Sequence, residues 1–233
     1  MKAIRKHLLL VLTLPTLASL MGCQILAPFY LAAIMMGYDQ RIPPAFEFPE
    51  DAKRIVVVTY TDLDAQVELG HIDQELNDVL SRMLFQGFDE PKNALVDKPR
   101  KIDVIKASRV ARWQDEHHDW TTMDPAEIGA ALKADYVIYL EVGKIRLYED
   151  GPNQILYRGH ADVTVSVVRV ENDEVAFGPE TLSIHFPKDR PIPVSPDLPP
   201  SKFRREFIRR MAERISWFFL PHESGEEFEK TPV

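Results

Sequence analysis

With one cysteine in 233 residues, Cys23, the chain has no second thiol for an internal disulfide. Its ten glycines are scattered, and neither a Gly-rich phosphate loop nor the Gly-x-Ser-x-Gly turn of serine hydrolases occurs. The zinc-protease spacing, two histidines four apart with a glutamate between them, is also missing. Positive charge is in short supply: 28 Lys and Arg face 36 Asp and Glu, for a formal charge of −8. A surface that acidic repels polyanions, which excludes nucleic acid as a partner. No internal repeat and no low-complexity block is present.

Charge of either sign is absent from Leu8 to Tyr38. The residues before this run, "MKAIRKH", carry Lys2, Arg5 and Lys6 and no acid, so a basic head precedes an apolar block of signal-peptide length, Leu8 to Leu20. That block ends in "LMGC", with Leu20 three residues before Cys23 and Gly22 directly before it. The stretch resembles the lipobox of bacterial lipoproteins, although Met21 replaces the small residue usual at its place. The resemblance implies a signal peptide over 1–22, cleavage marked by Leu20, Gly22 and Cys23, and diacylglyceryl attachment to the Cys23 sulfur with palmitate-type acyl chains. Each buried methylene contributes about 0.8 kcal/mol, so two or three chains hold where one slips. Cleavage would take the basic count from 28 to 25 against 36 acids, and the formal charge from −8 to −11. The alternative is an uncleaved span, since a membrane helix needs only about 20 apolar residues; Pro15 and Pro28 interrupt it. Both readings place the chain after Tyr38 outside the cytoplasm, because the basic head stays inside. Gln24, where Asp would retain a Gram-negative lipoprotein at the inner membrane, slightly favours the outer membrane.

Residues 23–53 read as a lipidated cysteine, an apolar segment over 24–38 that inserts in the interface or packs on the domain, and a Pro-rich linker. An α/β domain is expected over 54–220. "RIVVVTYT" reads as a buried strand, and Ile72, Leu76, Val79, Leu80 and Met83 recur at helical spacing. "KIDVIKA" repeats the strand, "SRVARWQDE" a short helix capped by Ser108, and "DPAEIGAALKA" a helix with Asp124 as cap, Pro125 in the first turn and Glu127 closing a capping box. "YVIYLEV" follows as a third strand. Two strand-helix-strand passages predict parallel neighbours, and the alternation of "DVTVSVVRV" predicts a long antiparallel hairpin with Val163, Val165 and Val167 on one face. After a Pro-rich loop, Phe203, Phe207, Met211, Ile215 and Phe218 mark a last helix. Docking of its apolar stripe on the sheet is favoured over binding of a lipid surface by its arginines. The acidic tail is 221–233. The fold class is therefore α/β, a mixed sheet with parallel strand-helix-strand units, an antiparallel hairpin and a packed C-terminal helix.

The run "DPAEIGAALKADYVIYLEVGKIRLYE" with "YRGHADVTVSVVRVENDEVAF" resembles the amino-terminal periplasmic domain of TolB and lipoproteins of the curli-secretion and penicillin-binding-protein-activator type, over about Arg54 to Phe186. Those relatives are mostly scaffold or partner-binding modules, which implies a non-enzymatic envelope protein that needs no cofactor, held to the membrane by its lipid and bound to an envelope protein partner. It transfers no binding residues, and fold-level likeness does not assign function.

"DEHHDW" offers the best metal candidates, His117 and His118. Adjacent side chains diverge on helix and strand alike, so a solvated loop is the expected reading. His160 and His185 are expected to be hydrogen-bonded sheet histidines. Two other classes stay open: an envelope hydrolase with carboxylate or histidine chemistry, and a small-ligand binding domain.

Overall fold

Strand β1, Arg54–Thr61, is β-branched at most positions, and residues 55–59 are at most 1% exposed. A strand buried on both faces needs neighbours on both sides and helices above and below. The computed structural model describes residues 41–62, 65–66, 69–89, 101–149, 151 and 155–223. Leu20, Gly22, Cys23, the apolar segment 24–38 and the tail from 224 lie outside the described residues.

Helix α1, Ile72–Asp89, turns its apolar stripe (Ile72, Leu76, Leu80, Leu84) onto β1. It leads to β2, Asp103–Val104, parallel to β1. Helices α2, Ala107–Glu116, and α3, Pro125–Leu132, then carry the chain over the other face to β3, Tyr136–Tyr148, parallel to β1 on its far side. The two parallel strands predicted after β1 thus flank it rather than each other. Strands β4, Leu156–Arg169, and β5, Glu174–Phe186, continue antiparallel, giving the order β2-β1-β3-β4-β5, and the short β6, Ile192–Pro193, pairs with the start of β4. Helix α4, Pro200–Ser216, follows. The fold is the mixed α/β sheet expected, with its C-terminal helix packed on it.

Two cores result. On one face α1 and α4 cover Ile55, Val57, Ile138 and the β4 valines 163, 165 and 167; on the other α2 and α3 cover Val56, Val58 and Val137. The second layer stops short. Beyond it, β4 and β5 present Thr164, whose hydroxyl lies 3.1 Å from that of Thr181, and the histidines 160 and 185. One-sided cover suits antiparallel strands with alternating polarity. At the outer edge, β5 has no neighbour on its far side among the described residues, and a register shift and Pro179 interrupt it.

Helix α4 buries Phe203, Phe207, Ile208, Met211 and Ile215. Phe203 stacks on Tyr157 at 4.4 Å between ring centres, and Phe207 lies over Gly159, where a Cβ would come within 2.6 Å of its ring. The α4 arginines do more than stand in water. Arg204 takes Glu75 with one nitrogen, at 2.7 and 2.6 Å from the two carboxylate oxygens, and the Leu69 carbonyl at 2.7 Å with the other, joining α4 to the start of α1. Before β1, Phe48 is 2% exposed among Phe88, Tyr136 and Phe219.

Two capping expectations are corrected. The Ile105 amide is still bonded to the Ile55 carbonyl (2.9 Å), and the chain turns helical just after it, so Lys106 is the N-cap of α2 and Ser108 lies within the first turn. Asp124 holds the N-cap position of α3 with extended backbone, but its side chain makes no capping bond, and Glu127 closes no box. The acid that does matter follows α3. The Asp135 carboxylate accepts the Lys53 and Arg54 amides at 2.8 and 2.9 Å, its own amide donates to the Arg54 carbonyl, and its carbonyl accepts the Val170 amide. One residue thereby ties β1 to the beginning of β3 and the end of β4.

Candidate functional site

Because β2 and β3 lie on opposite sides of β1, the connection leaving β1 crosses one face and the connection entering β3 crosses the other. In open α/β sheets a crevice opens outside the carboxyl ends of strands at such a reversal. Here it measures about 510 Å³, between the end of β1, the start of α1 and the segment after α2. Tyr60 and Trp120 form an edge-to-face pair on its floor, 6.3 Å between ring centres. Gln66 donates from Nε2 to the Thr61 hydroxyl at 3.2 Å. Among the described residues Oδ1 of Asp73 is a buried acceptor with no donor, an arrangement that leaves a place for an incoming N–H or O–H group.

On the neighbouring strand β3, outside the crevice lining, Tyr139 has its hydroxyl pKa pushed up to about 12, first by burial and then by Glu141 and Tyr60. Its hydroxyl is a proton donor throughout the physiological range and never a base. Through Tyr60, Trp120, Gln66 and Asp73 the crevice is equipped for hydrogen bonding and aromatic contact.

His118 is exposed and lines this crevice, whereas the His117 ring stacks on Trp113 at 4.5 Å, with Nδ1 2.8 Å from the Trp113 carbonyl oxygen. The two neighbours face different surroundings. Among the described residues no three His, Cys, Asp or Glu side chains stand close enough to hold a metal ion. His160 and His185 pair across β4 and β5, Nδ1 to Nε2 at 3.0 Å, and His160 Nε2 lies 3.4 Å from Asp162. The His185 pKa is lowered, first by burial and then by His160 and Arg158. Sequence reasoning missed Tyr60, Gln66, Asp73 and Trp120, which share no motif. A positional signal was available only for Tyr60, Gln66 and Asp73, which flank the end of the first strand of the domain.

Among the described residues no helix is long and apolar enough to cross a membrane. No family model and no curated protein matches the chain. Solved structures similar to it include PelC from Paraburkholderia phytofirmans, crystallised as a dodecamer, with 14% identity over 78% of this chain and 97% of that one at a TM-score of 0.39. Lipoprotein GNA1162 from Neisseria meningitidis shares 13% over 70% and 98% (TM-score 0.37), and a minor lipoprotein from Acinetobacter baumannii 12% over 71% and 90% (TM-score 0.37). Likeness at this level assigns no function; what it records is that bacterial lipoproteins are among the structures this chain is similar to.

Proposed function

We propose that the chain is a lipid-anchored protein of the bacterial envelope, facing away from the cytoplasm, that holds or recruits another envelope component and performs no catalysis of its own. The observation that carries this reading is the uncharged run from Leu8 to Tyr38, broken at "LMGC" and joined through a Pro-rich segment to a folded domain. Anchoring raises the effective concentration of such a domain near its neighbours, so modest affinity suffices. The uncovered face of β4 and β5, polar and broad, supplies a surface for a partner protein. Gln24 after the cysteine favours the outer membrane.

The test has two parts. The intact mass of the amino-terminal peptide from detergent-extracted protein should show a chain beginning at Cys23 with acyl mass, abolished in Cys23→Ala. A photo-crosslinking residue at Thr164 should then trap one reproducible envelope protein. A chain beginning at Met1 with a free thiol removes the lipid anchor, and crosslinking that yields no reproducible adduct removes the recruiting role. The unpaired Asp73 acceptor favours a second reading, a small-ligand binding domain. Its check is a rise in melting temperature with a ligand that binds the crevice, lost in Asp73→Asn.

A further inference from the structure

The opposite end of the domain holds a second, larger cavity of about 630 Å³, beside the edge strand β2 between α1 and α2. Ligand pockets commonly measure about 300–1,000 Å³. Its charge runs against that of the chain. Five cations line it, Arg54, Arg82, Lys106, Arg109 and Arg112, against two carboxylates, Asp78 and Asp103. Both acids are already engaged, Asp103 with Arg54 at 3.1 Å and Asp78 with Arg82 at 2.7 Å. Among the described residues Arg109 reaches only the Leu132 carbonyl, at 3.3 Å, which neutralises no charge. Lys106, Arg109 and Arg112 thus have no carboxylate partner among the described residues.

Those three recur every third residue, which sets them along one side of α2. The helix they begin has no side-chain cap, and its N-cap is itself a lysine; the first amides and the dipole add to the positive field. Ser108 brings a hydroxyl to the wall. Apolar surface is present too: Val104, Ile105 and above all Phe85, which is 51% exposed. Unpaired cations with forked donors, next to a solvent-facing aromatic ring, suit an anion that has an apolar part.

We propose that this cavity binds a phosphate-bearing anion with an apolar portion, the phosphate held by Lys106, Arg109 and Arg112 and the apolar part resting on Phe85. The phosphate could come from a lipid headgroup or from a free phosphate ester, and the test separates these sources. It goes beyond the recruiting role and is independent of the anchor.

The experiment is calorimetric titration of the full chain in neutral detergent at about 0.15 M salt, where charges more than about 8 Å apart are screened. The probes are inorganic phosphate, monobutyl phosphate, and glycerophosphoglycerol, the deacylated headgroup of an anionic phospholipid. Monobutyl phosphate binding tighter than inorganic phosphate, weakened about tenfold or more in Lys106→Ala/Arg112→Ala and unchanged in the control Lys202→Ala/Arg205→Ala, supports the site with a free ester as its ligand. Preference for glycerophosphoglycerol with the same dependence on Lys106 and Arg112 supports it with a headgroup as ligand. Phe85→Ala should weaken monobutyl phosphate and leave inorganic phosphate unchanged. Absence of binding by all three probes, or equal losses in the test and control pairs, overturns the proposal.

Discussion

Replacing Gly159 by alanine sets a local rule against a packing rule, and the sign of the result decides between them. Glycine inside a strand is less stable than alanine by about 0.5–1 kcal/mol, so the strand alone predicts that Gly159→Ala stabilises. The new Cβ, however, would lie 2.6–2.8 Å from three ring atoms of Phe207, a side chain with no exposed surface, packed between α4 and the sheet. Overpacking of that kind costs about 1–3 kcal/mol, leaving a net loss of up to about 2.5 kcal/mol once the strand gain is subtracted. For a domain of this size the melting temperature should fall by up to about 10 °C. Urea unfolding of the full chain would read the loss as a lower midpoint at constant slope. A smaller partner should relieve the strain: Phe207→Leu alone destabilises, but the double variant should be more stable than the sum of the two losses predicts, by about 0.5 kcal/mol or more. A Gly159→Ala protein that melts higher than the parent, or a strictly additive cycle, would refute the idea that Gly159 is there to admit Phe207.

Asn77→Ala should cost about 1–3 kcal/mol in urea unfolding, since its buried amide donates to the Val57 carbonyl at 2.9 Å and its oxygen accepts the Ser81 hydroxyl. Arg204→Lys should recover less than half of what Arg204→Ala loses, because an ammonium cannot serve Glu75 and the Leu69 carbonyl from one planar fork; equal stability of Lys and Arg variants would contradict the geometry. Lowering pH should weaken the fold through His185. Its folded pKa lies below the ordinary histidine value, so the unfolded chain binds the proton more readily, and the contribution is present above about pH 6.5 and lost as pH falls through the folded value. His185→Gln should flatten the unfolding midpoint between about pH 7 and 5 relative to the parent. Asp135→Ala should lower the melting temperature more than Asp124→Ala, because only the former carboxylate accepts backbone amides.

Periodicity was a good guide wherever one face of an element meets one core. The stripe of Ile72, Leu76 and Leu80 and the alternation of Val163, Val165 and Val167 both lie buried as their spacing requires. The caps were less legible because a capping residue type says only that a bond is possible. Where the helix begins was set for α2 by the Ile105 amide, still tied to β1, a tertiary constraint with no local signature. Strand order was hidden for the same reason: two strand-helix-strand passages fit parallel strands on either side of the first as well as a simple series. The crevice residues come from the end of β1 and the nearby start of α1, and from the segment around the end of α2 dozens of residues later, and only the crossover that reverses direction at β1 brings the two stretches together. The cations at the other cavity were visible one by one, but that Lys106, Arg109 and Arg112 have no carboxylate partner among the described residues is a property of the packed chain.

The interrupted outer strand also bears on behaviour in a crowd. If the proposed anchor holds the protein on a bilayer, its molecules meet in two dimensions, side by side and repeatedly, and a flat 13-residue edge would offer each collision a ready ladder of amides and carbonyls. Pro179 has no amide hydrogen to give, the register shift bends the strand beside it, and Glu174 and Glu180 add like charges that two abutting copies would have to bring together. The edge is thereby discouraged from pairing with itself, and dense populations of the protein can stay dispersed while the broad face of the sheet remains open to a different molecule.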